Sequence, residues 1–170
     1  NDPEVYQKFW STFGNVIKEG PGEDTDNKDK LAKLLRFSST HTDAKEQVVS
    51  LEDYVSRMKD DQKVIYYVIA ENFQAAKSSP HLEIFRKKGV EVLLMCERVD
   101  EWLTSNLSEY DGKTLQSVTK GELNLGDMED EESKKAQEKI ADEHKDFIEK
   151  ISKALEGKVK EVRVTNRLTS

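Results

Sequence analysis

Apolar positions fall into two rhythms along this chain. From Lys63 to Ala70 the run Lys-Val-Ile-Tyr-Tyr-Val-Ile-Ala is almost unbroken and rich in β-branched and aromatic residues, as expected of a strand buried on both faces. Val90-Glu-Val-Leu-Leu-Met-Cys96 repeats that character. Between them, Ser79-Pro80 reads as a helix start and Gly89 as a helix stop. Strand, helix, strand at this spacing predicts a parallel, right-handed crossover. Leu115 to Thr119 adds a third short strand after the turn signal Asp111-Gly112.

The helical rhythm appears on either side of this core. Val5, Phe9, Trp10, Phe13, Val16 and Ile17 predict an amphipathic helix over 5–18. Gly20-Pro21-Gly22 should end it, since neither residue type continues a helix cheaply. Its aromatic stripe, Trp10 and Phe13 included, reads as core. Asn27 is placed to cap a second helix over 28–37, with Leu31, Leu34, Leu35 and Phe37 on its apolar face. Ser38 to Thr42 reads as a polar connector, and Ser50-Leu51-Glu52-Asp53 matches a capping box opening a short helix. Glu71 to Lys77 is a further short helix, and Val99 to Tyr110 a longer one with Trp102, Leu103 and Leu107 on a broad face. Gly121 to Glu132 is acidic and poor in apolar residues, which suggests a linker. Beyond it a long helix over 132–155 and a strand from Val159 are expected.

The fold class is therefore α/β. A helical connector leads into a small three-layer α/β/α subdomain with a mostly parallel sheet. A linker follows, then the first helix and strand of a second, α+β domain.

Composition narrows the function. With 170 residues, 36% of them charged and a net charge of -7, the chain lacks the clustered cations that sequence-independent nucleic-acid binding requires. No apolar run approaches the roughly 20 residues that span a bilayer, and no secretory leader is evident. One cysteine, Cys96, precludes an internal disulfide. The chain opens at Asn1 and stops at Ser170 without the marks of a complete protein, so a fragment of a longer one is expected. Glycine motifs for phosphate and a nucleophile elbow are absent, and His41, His81 and His144 are scattered. The residues read as an interaction module rather than an enzyme, with no catalytic, cofactor or metal residues to nominate. A rival reading is a small-molecule enzyme using a crevice at the strand ends near Cys96 and Glu97.

Several stretches together resemble the heat-shock protein 90 family of chaperones, in its bacterial form. They are Phe9-Trp10, Lys18-Glu19-Gly20, Leu34-Leu35-Arg36-Phe37, the run from Ser50 to Met58, Ile65-Tyr66-Tyr67, Ser78-Ser79-Pro80-His81-Leu82-Glu83, Lys88 to Leu93, Asp100-Glu101-Trp102 and Asp111-Gly112-Lys113. They keep one order over Tyr6 to Val118, and the tail adds Val162-Arg163-Val164-Thr165 and Arg167-Leu168-Thr169. The resemblance implies that residues 1–45 are the helical connector of a middle domain and 46–120 its small α/β/α subdomain. Residues 121–131 would be a linker, and 132–170 the start of a C-terminal dimerisation domain. It also implies an ATP-dependent, cytoplasmic, homodimeric parent. Its nucleotide pocket, Mg and catalytic arginine would lie outside this chain, leaving the piece monomeric and without ATPase activity. The expected partners are partly unfolded client proteins, and co-chaperones besides. The client contact implied by the resemblance is Glu101, Trp102 and Asn106. On the residues alone, Trp102 reads rather as packing in a stripe with Val99 and Leu103, and the alternative for the module is a spacer that transmits domain motion without touching clients.

Overall fold

A computed structural model describes residues 2–120 and residue 151. The chain divides into two units, Asn1–Asn124 and Leu125–Ser170, and residues 2–120 belong to the first. The expected linker over 121–131, and the helix and strand expected after it, lie outside the described residues.

Among the described residues β1 (Ser38–Ser39), β2 (Val64–Ile69), β3 (Val92–Met95), β4 (Glu109–Tyr110) and β5 (Lys113–Ser117) form one sheet in the order β1-β3-β2-β5-β4. The two apolar runs become β2 (Val64–Ile69) and β3 (Val92–Met95). They pair in parallel with Tyr66 opposite Val92, and the crossover between them carries α4 (Phe73–Lys77) and α5 (Glu83–Lys87). β3 is buried along its whole length, as its unbroken apolar run requires. Gly89 adopts φ +63° just after α5, the left-handed position that stops a helix at a glycine. On the other side of β2 lies β5 (Lys113–Ser117), also parallel. It is joined to β4 (Glu109–Tyr110) by Asp111-Gly112, both at positive φ, which suits a two-residue hairpin. The capping box at Ser50 forms as expected and opens α3 (Leu51–Ser56).

The helical part differs from the sequence expectation in four places. α1 runs over Pro3–Glu23 and carries Pro21 inside it. Gly20-Pro21-Gly22 therefore does not end the helix. The Asp24 amide still reaches the Gly20 carbonyl at 2.8 Å, and burial of Pro21 offsets its missing donor. The stripe on α1 also splits. Trp10 is buried and its Nε1 donates to Gln47 at 2.9 Å, whereas Phe13 is 50% exposed and is not core.

α2 covers only Lys28–Leu34, and Asn27 makes no side-chain cap. It is Asp24 whose carboxylate accepts from the Asn27 amide, in a short 3-10 turn over Thr25–Asn27. Phe37 leaves the helix to bridge Val49. The polar connector is in part a strand: β1 (Ser38–Ser39) pairs antiparallel with β3. Both serines are buried, and the Ser38 hydroxyl donates to the Lys45 carbonyl at 2.7 Å. Short polar side chains with internal partners fit where the hydrophobic pattern gives no strand signal. Finally, α6 stops at Asn106 (Arg98–Asn106), and Tyr110 belongs to β4.

Candidate functional site

α6 starts where the chain leaves β3. Glu97 occupies the cap position, and its amide donates to the Asp100 carboxylate at 2.9 Å. One face of the helix then enters the core through Leu103, with Leu107 buried just beyond its end. The other face carries the three residues nominated from sequence. Trp102 is 47% exposed, so it is not the core residue that a Val99–Leu103 stripe would make it. Glu101 is exposed and Asn106 half-buried. The Asn106 Nδ2 donates to the Trp102 carbonyl at 2.9 Å, and the Ser105 hydroxyl donates to that of Glu101 at 2.7 Å. Positions 102 and 106, one turn apart, thus share a solvent-facing surface. An indole held at such a place offers a large apolar area and a polar edge with little rotamer entropy to lose.

That surface is supported by α1. A Cβ built on Gly22 would lie 2.7 Å from the indole Nε1 of Trp102 and 3.0 Å from the Asn106 amide, so the helix backbone itself touches both side chains. One turn earlier stands Lys18, 1% exposed. Its Nζ donates to Glu97 and to Asp100, each at 2.7 Å, and sits 5.4 Å from the centre of the Phe37 ring. Asp100 is completely buried. One of its carboxylate oxygens meets Lys18 and the other the Glu97 amide, so both find partners. In the sequence Asp100 and Lys18 stand out only as members of the motifs Asp100-Glu101-Trp102 and Lys18-Glu19-Gly20, with no contact between them indicated. The partners are 79 and 82 residues apart, beyond the reach of any local pattern.

The enzyme reading placed its crevice beside the same residues, at Cys96 and Glu97. Burial pushes the Cys96 thiol up, with Asp100 and Glu97 adding to the rise, the opposite of what an attacking thiolate needs. Glu97 borders a recess of 200 Å³ with Gln7, Trp10 and Gln47, below the roughly 300 Å³ at which small-molecule sites begin. Among the described residues no group of His, Cys, Asp and Glu could hold a metal ion, and no helix is long and apolar enough to cross a membrane.

Fold and surface together define a mixed α/β module that presents a half-exposed aromatic from a helix braced by its neighbour. The family model for Hsp90 protein matches residues 1–170, and the chain belongs to the Hsp90 family. It is 61% identical over 169 residues to the chaperone protein HtpG of Dechloromonas aromatica (strain RCB), covering 99% of this chain and 27% of that one. It is 62% identical over 168 residues to HtpG of Aromatoleum aromaticum, covering 99% and 26%. The chain thus spans about a quarter of the length of these relatives. Among solved structures it resembles the middle domain of a Plasmodium falciparum heat shock protein, with TM-score 0.62 and 38% identity over 67% of this chain and 47% of that one.

Proposed function

We propose that this chain is a client-binding and interdomain module of an ATP-dependent chaperone, with Glu101, Trp102 and Asn106 as its contact for partly unfolded proteins. The carrying observation is the 47% exposure of Trp102 on a helix whose opposite face is fixed in the core. Flanking carboxylate and amide groups suit the mixed apolar and backbone-polar surface of an unfolded segment. In this reading residues 1–45 are the helical connector, 46–120 the small α/β/α subdomain, 121–131 a linker and 132–170 the opening of a dimerisation domain. The nucleotide site, with ATP and Mg, belongs to another part of a cytoplasmic, homodimeric parent, and so does ATP hydrolysis. Co-chaperones are further partners of that parent. A second reading, a spacer that only transmits domain motion, draws on the buried Lys18–Asp100 tie between α1 and α6.

The test is binding of fluorescently labelled, reduced and carboxymethylated α-lactalbumin, an unfolded protein, to the chain and to Trp102→Ala. The expected result is affinity weakened by about tenfold, the size of a moderate aromatic anchor, with the circular dichroism spectrum unchanged. Equal binding by a folded variant would remove this helix from the client surface and leave the spacer reading.

A further inference from the structure

We infer that Gly22 is a positioning residue for the Trp102 surface: its missing side chain is the seat on which the indole and the Asn106 amide rest. The inference builds on the client-binding reading of α6. Gly22 lies inside α1, where glycine is a poor choice for helix stability. Its backbone conformation does not require glycine either, because the positive-φ glycines are Gly89 and Gly112. What does require it is space. An added Cβ would stand 2.7 Å from Trp102 Nε1, closer than real Cβ contacts come, and 3.0 Å from the Asn106 side chain, tight enough that the amide must give way.

Nor is the crossing of the two helices free to widen. Lys18 lies four residues before Gly22 and so on the same face of α1. There it is held at 2.7 Å by both Glu97 and Asp100 at the start of α6. α1 and α6 are thus pinned at one point by buried charge and brought together at the next by the absence of a Cβ. An extra methyl at 22 must be accommodated by the half-exposed indole and the amide, because the pinned backbones resist. The substitution therefore turns the client-facing groups without touching a client-facing residue.

The experiment uses the chain labelled with 5-fluorotryptophan, whose two tryptophans, Trp10 and Trp102, give two fluorine resonances assigned by Trp102→Phe. In Gly22→Ala the Trp102 resonance is expected to shift while that of Trp10 stays. Affinity for labelled, reduced and carboxymethylated α-lactalbumin should fall by about fivefold, against about tenfold for Trp102→Ala. Glu23→Ala, on the exposed side of the same turn, should change neither. In a Trp102→Phe background, which lacks the atom nearest the new methyl, Gly22→Ala should have little further effect on binding. This cycle reads the coupling directly, and it holds even where the single variant is less stable. A Gly22→Ala chain with an unmoved Trp102 resonance overturns the inference. So does one with a moved resonance and unchanged affinity, provided Trp102→Ala still loses binding. Loss of binding in Gly22→Ala that persists in full in the Trp102→Phe background also overturns it. If Trp102→Ala binds as well as the parent, the client reading itself has failed and the inference falls with it.

Discussion

Lys18 is the residue whose removal the structure predicts to be most costly. A lysine 1% exposed, facing an aspartate that is fully buried, has exchanged hydration for two 2.7 Å contacts with carboxylates. Such a group stabilises little when compared with a well-packed apolar substitute. Deleting one partner is different, because the other charge is left inside without water. Glu97, with about a third of its side chain exposed, can turn outward; Asp100 cannot. Lys18→Met is therefore expected to destabilise the fold by about 3–5 kcal/mol, read as a lower urea midpoint. Lys18→Met with Asp100→Asn should recover part of that loss, since the amide can still accept from the Glu97 amide without carrying a charge. A single variant as stable as the parent would mean that the pair is solvated in solution.

At the scale of elements, packing decides what local signals leave open. The Ser50 capping box, the left-handed Gly89 and the Asp111-Gly112 turn were legible because each is complete within a few residues, whereas β4 before that turn, two residues long, was read as the end of a helix. So were β2 and β3, whose burial on both faces writes an unbroken apolar run. The continuation of α1 through Gly20-Pro21-Gly22 was not. The glycines there serve close approach, Gly20 to Leu31 and Gly22 to Trp102, and their partners are distant in sequence. The candidate site divides the same way. The resemblance named Trp102 and its neighbours, while the brace beneath them, Gly22 and Lys18, came only with the fold.

Tyr54 illustrates an element joined to the sheet by one polar atom. Its hydroxyl on α3 donates to the Glu91 carbonyl at 2.6 Å and accepts from the Tyr66 amide at 3.0 Å and from Gln62 at 3.2 Å. Burial drives its ionisation well above the ordinary tyrosine range. In the unfolded chain this phenol loses its proton near pH 10, whereas in the folded one it keeps it. Stability is thus fully present below pH 10 and falls as the pH rises beyond it. Tyr54→Phe is expected to cost about 1–3 kcal/mol at pH 7, because buried partners lose their hydrogen bonds. It should also flatten the decline between pH 10 and 11 in urea titrations. An alkaline slope as steep as the parent's would assign that sensitivity to other groups, Tyr66 and Tyr110 being next in line, both raised chiefly by burial.

At the scale of the whole described unit, the question is which apolar residues hold it together. Leu35, Phe37, Leu51, Ile65, Leu93 and Leu103 form a cluster that water does not reach. Val5, Phe9, Phe13 and Val16 line the solvent side of α1 at intervals of three or four, between 42% and 65% exposed. The rings of Phe9 and Phe13 lie 5.2 Å apart, so they shield one another while adding nothing to the buried cluster. Substituting both therefore removes side chains that already stand about half in water, at positions outside the buried cluster. Phe9→Ser with Phe13→Ser should leave the urea midpoint within about 0.5–1 kcal/mol of the parent. Phe37→Ala alone, opening a cavity at a buried ring, should cost about 3–5 kcal/mol. The double variant should also bind less of the dye ANS, which reports exposed apolar surface, and the alanine variant should not share that loss. A double variant as unstable as Phe37→Ala would place the stripe inside the core. Equal stability with reduced dye binding would make it an apolar face that the fold tolerates, alongside a net charge of -7 that opposes self-association.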